Sequence, residues 1–310
     1  MKRGRTPGYL ELCGTGEIEN RIRVLKDMYS SCRLCPHECK VDRTTDRKGI
    51  CRSGSRPVVA SYSVHHGEEP PISGTGGSGT IFLSGCTGRC LFCQNYPISQ
   101  LDTGTEVSES RLAGMMIELQ DRGCHNINFV TPTHFSPSIV AAISLAATRG
   151  LFLPIVYNTS GYERVEVIRL LSGIIDIYLP DAKYADDTVA VRLSGFPEYI
   201  EHNRDALKEM YAQVGNLITR EGIAVRGMII RHLILPGRLA GTSEVLQFIA
   251  NELSADIPVS LMDQYFPAYR ALTLETLSRR ITADEYGEAL ESFDNSGLHN
   301  GWIQDHTDIM

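Results

Sequence analysis

Long apolar runs are missing from this chain. Nowhere do about eighteen apolar residues follow one another, which excludes an ordinary membrane-crossing helix. The most apolar region, residues 127–157, is interrupted by Pro132, His134, Pro137, Arg149 and Pro154. The basic start, Met1-Lys2-Arg3-Gly4-Arg5, lacks the apolar core that makes a signal peptide. A cytoplasmic protein without a membrane partner is therefore expected. Positive charge is also in short supply: 30 Lys and Arg stand against 37 Asp and Glu, a net −7. That balance argues against nonspecific binding of nucleic acid. Charged and apolar contents of 22% and 42% are those of a globular protein. A chain of 310 residues can bury one large core and carry an appendage.

Cysteine, by contrast, is plentiful and clustered. Nine occur, and their grouping points to metal rather than to disulfides. Cys86, Cys90 and Cys93 form a C-x3-C-x2-C within Ser84-Gly85-Cys86-Thr87-Gly88-Arg89-Cys90-Leu91-Phe92-Cys93-Gln94-Asn95. Thiolates are soft ligands suited to iron–sulfur clusters, and cubane clusters usually take four of them. Three close thiolates leave one iron without a protein ligand, and an open position marks a reactive site. Zinc would normally demand a fourth ligand, and no Cys or His follows Cys93 closely. Thr80-Ile81-Phe82-Leu83 reads as a buried strand, so these cysteines lie on the loop at its C-terminal end.

A second group comprises Cys32, Cys35, Cys39 and Cys51, spaced C-x2-C-x3-C-x11-C. Four thiolates at knuckle-like spacing suit structural zinc or an auxiliary iron–sulfur cluster equally, and a small cap of reduced cysteines is the bland alternative. Cys13 and Cys124 read as free thiols. Gly74-Thr75-Gly76-Gly77-Ser78-Gly79 matches G-x-G-x-x-G by letters but precedes a strand instead of opening a helix. It is not a dinucleotide fingerprint.

The remaining pattern alternates strand and helix. Residues 1–14 read as a flexible or loosely docked arm, and 17–31 as a short helix. A strand over 57–64 is followed by a loop containing His65 and His66. Strands are then expected over 80–83, 126–130, 153–157, 174–179, 224–230 and 258–262. Helices over 108–119, 136–150, 162–172, 200–217, 242–253 and 282–293 accompany them, several with apolar residues at i, i+3, i+4 and i+7. The tail beyond the last helix reads as irregular. Repeated strand–helix units imply a parallel sheet with right-handed crossovers. The expected fold is α/β, a partial (β/α)6 TIM-like barrel with a small Cys-rich N-terminal extension. Its parts are an arm and knuckle over 1–56, the barrel over 57–275, and a C-terminal helix and tail over 276–310.

In such barrels functional groups gather at the C-terminal strand ends. Those ends carry Thr131-Pro132-Thr133-His134, Asn158-Thr159-Ser160, Asp181-Ala182-Lys183, Arg231-His232 and Asp263-Gln264-Tyr265. Each has a plain structural reading: a local ion pair for Asp181 and Lys183, a carboxylate partner for Arg231, a helix cap for His134, a turn for Asn158. Together they make a polar rim that a purely structural barrel has little reason to build.

The C-x3-C-x2-C loop resembles the signature of the radical S-adenosylmethionine (SAM) superfamily. Residues from about 32 to 302 resemble, more narrowly, the PflX-type homologues of pyruvate formate-lyase activating enzyme. The stretches that carry this are Cys32-Arg33-Leu34-Cys35-Pro36, Gly67-Glu68-Glu69-Pro70-Pro71, Cys93-Gln94-Asn95-Tyr96, Asn126 to His134, Tyr157 to Tyr162, Asp176 to Tyr184, Arg231 to Gly237 and Met262-Asp263-Gln264-Tyr265. The resemblance implies a [4Fe-4S] cluster on Cys86, Cys90 and Cys93, with SAM chelated to its open iron. It implies one-electron cleavage of SAM to a 5′-deoxyadenosyl radical that takes a hydrogen atom from a substrate. By position it implies SAM contacts at Thr131, Thr133, His134, Asn158, Lys183 and Arg231. The Gly-Gly-Glu that holds the SAM amino group in activating enzymes is absent, and Thr133 or a backbone carbonyl is the expected substitute. An electron donor such as flavodoxin or ferredoxin is implied. The substrate is a glycine in a partner protein if the resemblance extends that far, otherwise a peptide or small molecule. A noncatalytic iron–sulfur or zinc interaction protein is the reading from another class.

Overall fold

A computed structural model describes residues 6–45 and 47–303. The elements run α1 (Gly8–Thr15), α2 (Glu17–Asp27), β1 (Val58–His65), α3 (Pro70–Ser73), β2 (Ser78–Leu83), α4 (Tyr96–Ser99) and β3 (Thr105–Glu106). Next come α5 (Glu109–Asp121), β4 (Ile127–Val130), α6 (Ser136–Thr148), β5 (Ile155–Thr159), α7 (Val165–Leu170), β6 (Ile177–Pro180), α8 (Asp187–Ser194) and α9 (Tyr199–Val214). The chain closes with β7 (Ile218–Arg220), β8 (Ile223–Met228), β9 (Ile230–Leu233), α10 (Thr242–Glu252), β10 (Val259–Met262), α11 (Ala283–Ser296) and β11 (Gly301–Ile303).

The expected α/β part-barrel is present. Strands β2, β4, β5 and β6 pair in parallel, in that order. The fifth strand is split, because Ile229 separates β8 from β9. β8 stays with β6, while β9 turns away to pair with β10. A parallel bridge between Asp181 and Arg231 reconnects β6 to β9. The curved order is thus β2, β4, β5, β6, β9, β10, β11. β1 lies outside it, antiparallel to β2.

Partners in register share a face of the sheet, so Asn128, Val156 and Ile177 look the same way, as do Val130, Asn158 and Leu179. This is the concave face. Its lower part is apolar: Val156, Ile177, Leu179, Ala224 and Ile229 pack with Ile72, which α3 inserts. Its upper part is polar and forms the site below. The opposite face carries Ile155, Tyr157 and Tyr178 into the main core under the helices.

Three readings need correction, and one helix was not foreseen. Residues 8–15 are not loosely docked: they form α1, Tyr9 is fully buried, and its hydroxyl donates to the Leu153 carbonyl at 3.0 Å. Residues 1–5 of that arm lie outside the described residues. The third helix is shorter than 162–172, because Tyr162 and Glu163 turn inward before α7 begins. Residues 187–194 form α8, which has an Asp186 cap accepting from the Val189 amide. The tail is not wholly irregular, since β11 adds to β10 in parallel.

Candidate active site

The loop after β2 is shaped by close backbone approaches. Gly85 has φ +79°, and a Cβ there would lie 2.6 Å from both the Cys51 carbonyl oxygen and Ser53 Oγ. Only glycine fits that conformation at that distance without strain. Gly88 faces Phe196, whose Cζ would be 2.6 Å from an added Cβ. The Arg89 and Leu91 amides donate to the Ser194 and Leu193 carbonyls at 2.7 and 2.8 Å, which ties the loop to the end of α8.

This frame brings Cys86, Cys90 and Cys93 together, each within reach of the others' charge. Each sulfur has a polar neighbour. The Gly88 amide donates to Cys86 Sγ at 3.2 Å, Ser194 Oγ donates to Cys90 Sγ at 3.0 Å, and Ser99 Oγ lies 3.1 Å from Cys93 Sγ. Burial pushes the Cys86 thiol up to about 12 and the Cys90 thiol up to about 11. Lys183 acts on both in the other direction. Metal coordination deprotonates a thiol outright, and hydrogen bonds to the sulfur stabilise the thiolate. The donor set therefore fits a thiolate-bound cluster.

Beside these sulfurs lies a largely enclosed ion network, its side chains 9–18% exposed. Arg231 Nε donates to Asp181 Oδ1 at 3.0 Å and Nη2 donates to Asn158 Oδ1 at 2.6 Å. Lys183 Nζ pairs with Asp181 Oδ2. From below, Glu68 rises into the lumen: its Oε1 accepts from Asn128 and Asn158 at 2.9 and 3.4 Å, and its Oε2 is 3.6 Å from Arg231 Nη1. Burial pushes the Asp181 carboxyl up, but Arg231 and Lys183 outweigh it and hold it below its ordinary value. Burial likewise raises Glu68, and there it wins over the pull of Arg231. Burial works against the Arg231 guanidinium, yet Asp181, Glu69 and Glu68 keep its proton bound more tightly than usual.

Of the residues expected to contact SAM, the structure gathers Asn158, Lys183 and Arg231 at this rim. Thr131 stands at the neighbouring strand end, with φ +61° and its amide donating to the Asn158 carbonyl at 2.9 Å. A β-branched residue in that conformation is strained, and such strain concentrates at functional turns. Thr133 and His134 point elsewhere. The Thr133 hydroxyl donates to Glu163 Oε1 at 2.5 Å, and Thr159 donates to the same oxygen. Burial pushes this fully enclosed Glu163 carboxyl up to about 7. His134 Nε2 lies 2.8 Å from the Ser84 carbonyl oxygen and steadies the cysteine loop from behind. Burial lowers its pKa to about 3, so the ring is neutral and Nε2 donates. Each side chain thus has one bond within the protein, while His134 Nδ1 has no partner. Sequence reasoning missed Glu68, Asn128 and Glu163. Glu68 was visible only as a charged pair in the Gly67 to Pro71 loop, which approaches the barrel from its far end.

Fold and site together define a part-barrel protein with a three-thiolate centre at the mouth, flanked by a buried Asp–Arg–Lys network. The radical SAM family model matches residues 80–249, and the chain belongs to the radical SAM superfamily. Members generally use a [4Fe-4S] cluster and SAM. The uncharacterized protein MJ0674 of Methanocaldococcus jannaschii is 30% identical over 294 residues, covering 91% of this chain and 80% of that protein. Another from the same organism, MJ0808, is 22% identical over 265 residues, covering 79% and 73%. A structure of TYW1 with a lysine-pyruvate adduct bound aligns at 13% identity and a TM-score of 0.47, covering 74% of this chain and 77% of that one.

Proposed function

We propose that this radical SAM enzyme cleaves SAM reductively and abstracts a hydrogen atom from a carbon-bound position of its substrate. The observation that carries the proposal is the juxtaposition of three hydrogen-bonded cysteine sulfurs with the Asp181–Lys183–Arg231–Glu68 network at one barrel mouth. Cys86, Cys90 and Cys93 would hold the cluster. When bound, the cluster and SAM supply the one-electron chemistry that yields a hydrogen-abstracting radical.

The protein's own residues bind and orient. Glu68, Glu69 and Asp181 bring three carboxylates against the cations of Arg231 and Lys183. A sulfonium ligand carrying an ammonium group restores the balance, and the raised Glu68 carboxyl is the group that gains most from it. Asn158 and Arg231 are suited to the ligand's carboxylate and ribose, and the carbonyls of the Thr131 turn to its ammonium. Of the two expected substitutes for Gly-Gly-Glu, Thr133 or a backbone carbonyl, this reading takes the carbonyl. The N-terminal knuckle, whose His37 Nε2 lies 2.8 Å from the Thr87 carbonyl oxygen, covers the cysteine loop and keeps water from it.

Within this reading, the substrate is a glycine-bearing loop of a partner protein, as for activating enzymes. Support comes from the exposed Phe266 and Leu272, whose segment is bonded to the cysteine loop through Gln94–Gln264 and Arg270–Leu91. The chain is read as an arm and knuckle over 1–56, a barrel over 57–275 and a tail over 276–310. It acts in the cytoplasm with a donor such as flavodoxin or ferredoxin. The test is anaerobic reconstitution with iron and sulfide, followed by SAM and dithionite. Release of 5′-deoxyadenosine is expected, and it should vanish in Cys90→Ala. Absence of that product from a protein with a full cluster would overturn the proposal.

A further inference from the structure

Residues 32–51 wrap a second set of sulfurs. The Cys32 amide donates to the Val41 carbonyl at 2.9 Å, and the Glu38 amide to the Cys35 carbonyl at 3.0 Å. Glu38, Lys40 and Arg52 all take φ between 37° and 58°, the left-handed conformation that tight knuckles require. These turns bring the four cysteines within electrostatic reach of one another: Cys35 faces Cys51 and Cys32, and Cys39 faces Cys32 and Cys51. Gly49 is pressed against the group, since an added Cβ would stand 2.5 Å from Cys39 Sγ.

An independent observation points into this group. Arg43 is 1% exposed, and its Nη1 lies 3.7 Å from Cys32 Sγ. Its Nη2 donates to the Gly54 carbonyl at 2.5 Å, while its Nε has no partner. The guanidinium sits against the rings of Tyr29 and Phe135, at 4.7 and 5.8 Å. Among the described residues the groups whose charge acts on it are Cys51, Tyr29 and Cys32, and no carboxylate. A fully buried cation without a counter-charge is costly, and proteins rarely tolerate one. The groups positioned to supply negative charge are the Cys51 and Cys32 sulfurs, which would do so as metal-bound thiolates. Arg89 extends the pattern, lying within the field of both Cys86 and Cys51.

The two soft centres that four thiolates suit differ in geometry. Zinc draws all four sulfurs to about 2.3 Å from a single point. Among the described residues, no three Cys, His, Asp or Glu side chains converge on one ion. A cubane offers each cysteine a separate iron corner and accepts a wider ring of sulfurs. We propose that Cys32, Cys35, Cys39 and Cys51 hold a second iron–sulfur cluster of the [4Fe-4S] type, with Arg43 as its buried counter-ion.

The site is tested without reference to SAM chemistry. A variant with Cys86, Cys90 and Cys93 all changed to Ala is reconstituted anaerobically in equimolar iron and zinc with sulfide. Metal analysis and electron paramagnetic resonance after dithionite are then recorded. About four irons per chain and a reduced-cluster signal are expected. Cys39→Ser, added in the same background, should abolish both. Arg43→Met should shift the signal or lower the cluster's reduction potential, and Arg43→Lys should partly restore it. Zinc bound in place of iron, or no metal in a chain whose circular dichroism is native, would overturn the proposal. The reciprocal variant, with the four knuckle cysteines changed to Ser, keeps the two readings apart. It should lose only these irons and retain those of the Cys86 loop.

Discussion

At the scale of residues, the chemistry rests on side chains that burial would normally forbid. Asp181, Lys183 and Arg231 stay charged because each compensates another, and removing one member strands the rest. Arg231→Met should therefore destabilise the protein by about 3–5 kcal/mol, the usual cost of breaking a buried pair. Adding Asp181→Asn should recover part of that loss, as read by denaturant midpoints. Glu163 gives a pH signature. Its carboxyl titrates near 7 in the fold and has an ordinary value of 4.5, so the folded state keeps a proton that the unfolded chain has lost. The stability this provides is complete below 4.5 and is lost as pH rises through about 7. Over that window wild type should weaken by on the order of 3 kcal/mol, and Glu163→Gln should weaken much less. An equal loss of unfolding free energy between pH 5 and pH 8 in wild type and Glu163→Gln, from urea titrations, would contradict the assignment.

At the scale of elements, α1 shows how a segment of modest propensity is held by its contacts. Gly8 packs so closely that an added Cβ would come within 2.4 Å of the Gly173 carbonyl oxygen. Tyr9→Phe should cost about 1 kcal/mol through the lost bond to Leu153. Tyr9→Ala should cost about 3–5 kcal/mol through the lost core volume. Thermal unfolding of the metal-free chain measures both. The cysteine loop is the second such element: Gly85→Ala forces a left-handed alanine against Cys51 and Ser53. That costs about 1–2 kcal/mol for conformation alone, before the clash. Iron retention on a desalting column should fall with it.

At the scale of the whole molecule, the proposed cluster would need cover from solvent, and the knuckle packs against its loop. His37 bonds to Thr87 and packs edge-on against Tyr162 at 5.2 Å. His37→Ala should leave anaerobic SAM cleavage nearly unchanged, yet hasten bleaching of the visible iron–sulfur absorbance in air. Equal bleaching rates in variant and wild type would show that the knuckle does not shield the loop.

Local pattern sufficed for much of this. The spacing of Cys86, Cys90 and Cys93, the alternating strand and helix periods, and the polar residues at strand ends are all properties of short segments. The barrel and its rim were therefore legible in order of residues alone. What tertiary structure decided was which way each rim residue turned. Thr133 and His134 follow a strand and so read as rim residues, and only the fold shows that they bond to Glu163 and the Ser84 carbonyl. Glu68 read as a loop charge because its partners, Asn128, Asn158 and Arg231, stand 60, 90 and more than 100 residues away. Burial and charge compensation depend on neighbours brought together from distant parts of the chain, and no local pattern encodes them. The cysteine spacings thus singled out two groups of sulfurs, and only packing placed Arg43 beside one and Lys183 beside the other.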